Sequence, residues 1–440
     1  MLAGMPGCVA TRAGAGFQQV RQAVADRTGK TVFWNTNSSE DEQAALAVDR
    51  LLRNPLTPES AVQVALLNNA GLQATFEEIG IAQADLVRAG LLKNPVFSGA
   101  YEFASGGGLS KINLSVTEDF LDVLQVPMRK RAASADLIAA RSQAASAVLG
   151  LARDVRRTFY DYQAARQIAS LKQVANEASQ AALQVSDRLH QAGNLTDFDL
   201  ATAQASAGQS ELDAASASSD VNDLREELNE LMGISSDAAR DWSATDSLPE
   251  VPSQIAPPQG LESLALRDRL DLAEAQLRFN AASYQLAMAK QFAFLGDAAA
   301  GASAEREHDG TWETGPSVSV PIPFFDFGGA SVAACEARGR QAHRRLEALQ
   351  VHVLTEVRKS ISRMQSAADE ARCFREKVLP AREKVLAQTL LRYDGMLASV
   401  FQLLAAKQSH LDAQIGLTRA TRDYWIARAE LEYAVGGKLN

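Results

Sequence analysis

A chain of 440 residues that is 46% hydrophobic and 22% charged, with 28 Gly, 13 Pro and 3 Cys, is long enough for two or three domains and an ample core. Its composition excludes collagen-like, disulfide-scaffold and wholly disordered chains, and no stretch reaches the roughly 18 apolar residues of a membrane-spanning helix. The net charge of −9, from 44 Lys+Arg against 53 Asp+Glu, argues against a nucleic-acid partner, whose phosphates require clustered positive charge.

At the N-terminus, Met5-Pro6-Gly7-Cys8 ends in the small residue plus cysteine that a bacterial lipoprotein signal places at its cleavage site. Only Met1-Leu2-Ala3-Gly4 precede it, where an apolar segment is needed. Two readings stand open: a lipid anchor on Cys8 behind a truncated or misassigned start, or a free cysteine near the terminus. Residues 9–58 carry little periodicity before Ala44 to Leu52 and are expected to wrap the outside of helices. Residues 1–58 therefore form an anchor and wrapping segment.

Residues 59–234 hold a first structural repeat. Ala61 to Ala89 has helical periodicity, and Asn94-Pro95 breaks it. Val96 to Phe103 then alternates, with Phe97, Gly99, Tyr101 and Phe103 on one side. After Gly106-Gly107-Gly108 a cleaner period-two strand places Ile112, Leu114 and Val116 together. From about Lys130 to Ala192 nothing interrupts a helix, and roughly 63 residues span about 95 Å. Ile168, Leu171, Ala175, Ala178, Ala182, Val185, Leu189 and Ala192 step by three and four, a coiled-coil seam. Gly193 is a natural helix stop, and Thr196 caps the returning helix.

Residues 235–260, with Pro249, Pro252, Pro257 and Pro258, read as a connector. The second repeat, 261–440, follows the same plan. Residues 294–305 alternate, as do Val318, Val320 and Ile322 with Ser317, Ser319 and Pro321. A second long helix, about Ala330 to Tyr393, shows Val357, Ile361, Met364, Ala368 and Ala371 at seam spacing. Pro380 within it should kink the helix or open one turn, and Gly395 should stop it.

The two halves are duplicates. Phe198, Leu200, Arg225, Glu227-Leu228 and Gly233 recur 203 residues later as Phe401, Leu403, Arg428, Glu430-Leu431 and Gly436. Upstream the offset is 202: Val155-Arg156 with Val357-Arg358, Gln163 with Gln365, Gly193 with Gly395. The extra residue is expected just after the two glycines, where a turn tolerates insertion. In the first half the helices before the hairpin and after the Gly193 turn sum to about the length of the long one, so they can stack end to end beside it. The fold class is thus mainly α with a small β part.

Four strands per chain cannot close a barrel, and exposed edges with an apolar face demand partners. Three copies would supply 12 strands, an even number suited to an outer-membrane barrel. The membrane-facing candidates are Phe97, Tyr101, Phe103, Ile112, Leu114 and Val116, then Val318, Val320 and Ile322.

Catalytic chemistry leaves no mark. Cys8, Cys335 and Cys373 lack metal or disulfide spacing, the five histidines are scattered, and no GxSxG, GxGxxG or P-loop occurs. The chain reads as a non-enzyme with no cofactor and no metal site. Glu305-Arg306-Glu307-His308-Asp309-Gly310 offers metal-ligand types, but reads more simply as a solvated hairpin tip, with Trp312 beside it at a lipid interface.

The duplicated plan resembles the TolC-type outer membrane efflux proteins. So do Ala61-Val62-Gln63-Val64-Ala65-Leu66-Leu67-Asn68-Asn69, Arg269-Leu270-Asp271-Leu272, and Gly395-Met396-Leu397 with Phe401-Gln402-Leu403-Leu404-Ala405. The resemblance runs from about Leu56 to Gly436. It implies a homotrimer in which duplicated long-helix hairpins form a periplasmic α-barrel and the strands form a 12-stranded β-barrel in outer membrane lipid. It also implies docking on a periplasmic adaptor and an inner-membrane pump, and favours the lipid on Cys8. Leu270 stands where the family usually has proline.

Family channels close at the periplasmic tip, near the two glycine turns. The tip and gating candidates are Arg188, Gly193, Asp197 and Asp199 in the first half, and Arg392, Tyr393, Asp394 and Gly395 in the second. Phe401 and Leu404 stand where some members carry gating aspartates, so closure is expected to rest on Arg392, Asp394 and apolar packing. Asp197 and Asp199 also suit a helix N-terminus on charge grounds alone. The implied function is the exit duct of a tripartite efflux system that exports small molecules such as drugs or metal ions. A type I protein-secretion channel and a periplasmic coiled-coil scaffold are the alternatives.

Overall fold

The computed structural model describes residues 16–36, 38–103, 110–235, 242–245, 247–253, 259–293, 298–322 and 324–439. Cys8, Gly106 to Gly108, Pro257, Pro258 and positions 294–297 of the alternating run lie outside them. In chain order come α1 (Phe17–Thr28), α2 (Ser39–Leu52), α3 (Pro58–Asn68), α4 (Ala70–Gly90), β1 (Val96–Glu102), β2 (Lys111–Asp119), α5 (Leu121–Gln191) and α6 (Asp197–Met232). The second half supplies α7 (Leu261–Asp268), α8 (Leu270–Phe292), β3 (Ala299–Arg306), β4 (Trp312–Ser319), α9 (Gly329–Cys373), a π-turn (Phe374–Val378), α10 (Leu379–Asp394) and α11 (Val400–Ala434). The fold is mainly α with one four-stranded sheet, and the element order repeats from half to half.

Local chemistry sets the helix ends. The Ser60 N–H donates to Thr57 Oγ1 (3.1 Å) at the start of α3, and Pro58 sits where its missing N–H costs nothing. Thr196 caps α6 as expected, and Ser399, its equivalent 203 residues on, caps α11 through the Gln402 N–H. Helix α5 is 71 residues long and starts at Leu121, earlier than expected, running through Pro127 at its seventh position, where the proline removes one backbone donor. Helix α1 falls in the stretch read as aperiodic. Phe17, Val20 and Val24, all buried, form its apolar stripe.

The chain divides into two compact units, each drawing on both repeats. The first holds residues 1–20, 74–145 and 270–351. Phe17 packs edge-on against Phe76, ring centroids 4.9 Å apart, and Ile79 and Leu137 are buried. The start of α5 is fixed by buried Asp122, which accepts from the Lys93 N–H (3.0 Å) and from both terminal nitrogens of Arg129. Burial pushes its carboxyl up, but these donors outweigh burial and hold it below the usual carboxylate range.

The second unit holds residues 21–73, 146–269 and 352–440. Its core joins Leu56, Val62, Leu66, Phe159, Leu228, Met232 and Leu431, all fully buried. Described parts of the connector are pinned here. Trp242 Nε1 donates to Asn229 Oδ1 (2.8 Å), Arg225 stacks on the Trp242 ring, and Gln163 Nε2 donates to Thr245 O (2.9 Å). Gly233 (φ 69°) and Gly436 (φ 83°) close their repeats in the same way. Each presses on the break between two helices, at Asn68–Asn69 and Asp268–Arg269, where a Cβ would strike backbone.

The extra residue of the second repeat lies elsewhere than expected. The 202 offset holds for buried Val155 and Val357 and for Tyr162 and Met364. The 203 offset already applies at the tip, where Met396 has the backbone role of Gly193. Between them sits the π-turn, in which the Leu379 N–H reaches back five residues to Phe374 O. A π-turn is an α-helix with one residue inserted. The wide turn also makes room for Pro380, which lacks an N–H, so the expected opened turn is present one turn before it.

Candidate functional site

In the first unit, all four strands form one antiparallel sheet in the order β1-β2-β3-β4. Directly paired residues share a face, so the register sorts the side chains. Phe97 pairs with Val116 and Val116 with Ala302; Gly99 with Leu114 and Leu114 with Ala304; Tyr101 with Ile112. Val318 pairs with Ala300 and Pro316 with Ala302. This face is apolar over its middle rows, with Glu118 beside Ala300 at one end and Arg306 beside Ile112 at the other, and Phe97, Tyr101, Val116 and Val318 are exposed on it. The other face carries Ser98, Ser115, Ser303 and Gly315 in one row and Asn113, Glu305 and Glu313 in the next.

Six of the nine membrane-facing candidates, Phe97, Tyr101, Ile112, Leu114, Val116 and Val318, thus lie together. Phe103 is one residue beyond β1, exposed and edge-on to Tyr101 (5.0 Å). Val320 and Ile322 are corrected as strand residues: β4 ends at Ser319, opposite Ala299 where β3 begins, and neither is in a ladder among the described residues. Beyond that point Phe324, Phe325 and Phe327 are exposed, with Phe325 fully so. Sequence reasoning misses these three, although an aromatic run directly after a strand is a readable sign. Asp326 fixes their turn by accepting from the Gly328 N–H (2.9 Å).

The turn between β3 and β4 uses its carboxylates structurally. Glu305 and Glu307 both pair with Lys111, and Asp309 accepts from the Thr311 N–H (2.9 Å) and hydroxyl (2.6 Å). Among the described residues no group of three or more His, Cys, Asp or Glu side chains converges as a metal site. The outer edges of β1 and β4 have no neighbour among the described residues.

The second unit carries the two helix turns. At the first, Gly193 (φ 75°) follows α5, and the Asn194 N–H returns to Leu189 O (2.9 Å). His190 Nδ1 lies 3.0 Å from Leu195 O and its Nε2 3.4 Å from Asp197. Asp199 is taken up by the cap, accepting from the Thr196 hydroxyl (2.7 Å), while Asp197 is almost fully exposed. Arg188 is exposed.

At the second turn the expected stop is corrected by one residue. Gly395 has φ −81°, and Met396, with φ 58°, takes the left-handed position. The Leu397 N–H closes the turn on Arg392 O (2.7 Å), so the left-handed slot falls one residue past the glycine. Arg392 and Asp394 are exposed and do not pair with each other. Tyr393, Phe401 and Leu404 are half-buried.

Residues 261–437 match the model of the outer membrane efflux protein family. The chain is 20% identical over 369 residues to the cobalt-zinc-cadmium resistance protein CzcC of Cupriavidus metallidurans, covering 82% of this chain and 85% of that one. Its fold is similar to a crystal structure of a membrane protein from Pseudomonas aeruginosa (TM-score 0.72, 20% identity, 89% of this chain and 93% of that one). It is similar also to CusC (TM-score 0.70, 18% identity, 88% and 94%), whose crystal structures concern folding and transmembrane channel formation. Residues 261–437 thus match the outer membrane efflux protein family model, and the chain shares its fold with these solved outer membrane proteins over most of its length.

Proposed function

We propose that this protein is the outer-membrane exit duct of a tripartite efflux system, working as a homotrimer with a periplasmic adaptor and an inner-membrane pump. The observation that supports the reading is the sheet: one largely apolar face, one polar face, and two edges with no neighbour among the described residues. Four strands return the edge direction to its start, so β4 of one copy can pair with β1 of the next without breaking the antiparallel order. Three copies close a 12-stranded barrel with lipid outside and water inside. The chain does no catalysis, because the energised partner does the work. Similarity to a cobalt-zinc-cadmium resistance protein favours divalent metal cations as cargo. In this reading Cys8 carries the lipid anchor, and Cys8→Ser should abolish acyl labelling.

The test is direct. Purified protein should run as a trimer and conduct in planar bilayers, and a stable, non-conducting monomer overturns the proposal. Arg392→Ala with Asp394→Ala should raise conductance if these residues hold the tip closed; unchanged conductance removes them from gating. Loss of the gene should sensitise cells to cobalt, zinc or cadmium, whereas unchanged metal tolerance assigns the duct another cargo.

A further inference from the structure

The two arms of the second unit are built alike except at one level. In the first arm, Lys172 of α5 pairs with Asp213 of α6 (2.9 Å). Adding 202 to the first and 203 to the second gives Phe374 and Gly416. These two also meet: the Phe374 ring lies where a Cβ on Gly416 would be. An ion pair in one repeat is replaced by an aromatic ring seated in a glycine notch in the other. Phe374 therefore still obeys the upstream register, and the inserted residue lies just beyond it, inside Phe374–Val378.

The segment beyond the insertion is the more exposed of the two arms. Helix α10 has no buried residue, and those of α11 begin only at Leu411. The first arm buries Ser179, Ala182 and Ser186 in α5 and Ala203 and Ala207 in α6, and Ser179 and Ser210 are hydrogen-bonded (2.9 Å). A π-turn has poorer hydrogen-bond geometry than an α-helix, and Pro380 removes a further donor. A weak turn, an exposed distal segment and a fixed contact at their boundary make a bend point.

We propose that Phe374–Val378 is a built-in hinge, with the Phe374 ring in the Gly416 notch as its pivot, about which α10 changes its angle to α9. This goes beyond the proposed function and is read without any transport assay, so either can fail alone. The measurement is amide hydrogen exchange on the purified full chain. Exchange in 374–382 should be about tenfold or more faster than in the equivalent stretch 172–180; equal protection overturns the hinge. Deleting Lys377 together with Pro380→Ala should convert the π-turn into α-helix, leave 357–371 and 411–434 as protected as before, and slow exchange across 375–394 by about tenfold. If 375–394 is unchanged, or if protection is lost upstream, the proposal falls. Gly416→Ala, which keeps the chain length, should unseat the ring and speed exchange in α10; no change removes the pivot.

Discussion

Met396 is the one non-glycine residue among those described with a positive φ, and its side chain is 94% exposed, so packing does not compensate it. An L-residue in this conformation costs about 1–2 kcal/mol. Met396→Gly should therefore protect the Leu397 amide about fivefold more against exchange, a gain of about 1 kcal/mol. Glu59 makes the second argument at this scale. Burial pushes its carboxyl up, but Arg156 (3.0 Å) and Lys30 (2.8 Å) outweigh burial and bring it down to about 2. A depressed carboxylate stabilises the fold above its unfolded value, 4.5, and that contribution is lost as pH falls toward about 2. The side chain is about half exposed, so screening limits the effect to about 0.5–1 kcal/mol. Glu59→Gln should lower the thermal midpoint at pH 7, and the difference from the wild type should vanish near pH 2.

Among the elements, the strands are the most legible in sequence. Alternation identifies β1 and β2, and the register then gathers Phe97, Tyr101, Ile112, Leu114 and Val116 on one face. For β4 alternation overstates the length, because Val320 and Ile322 continue the pattern beyond Ser319, where the strand ends. Pro380 announces an opened turn, but the offsets misplace the inserted residue, because Gly395 matches Gly193 in sequence while Met396 takes its backbone role. Only backbone geometry, at the π-turn and at Met396, locates it. The aromatic run after β4 belongs to this scale as well. Phe324, Phe325 and Phe327 have the exposure of an interfacial girdle. Replacing all three with Ser should leave helical circular dichroism unchanged and reduce co-flotation with lipid vesicles. Equal flotation would show that they do not touch the bilayer.

At the scale of the whole molecule, duplication is legible because helix caps and closing glycines recur at fixed spacing. Its arrangement into two units, each assembled from both repeats, is not, because spacing along a chain does not say which segments pack together. The average composition conceals the membrane part for a related reason. Apolar side chains occupy alternate positions in four short strands, too few to move a mean over 440 residues. The even strand count has one more consequence, for how such a chain enters a bilayer. Each hairpin brings the backbone back to the end of the sheet from which it left, so no helix needs to be translocated. In the proposed barrel only the short links within the two hairpins cross the hydrocarbon. Beside the second link, Lys111 pairs with Glu305 and Glu307 and so offsets part of the charge at that end of the sheet, where dehydrating a bare carboxylate would be expensive.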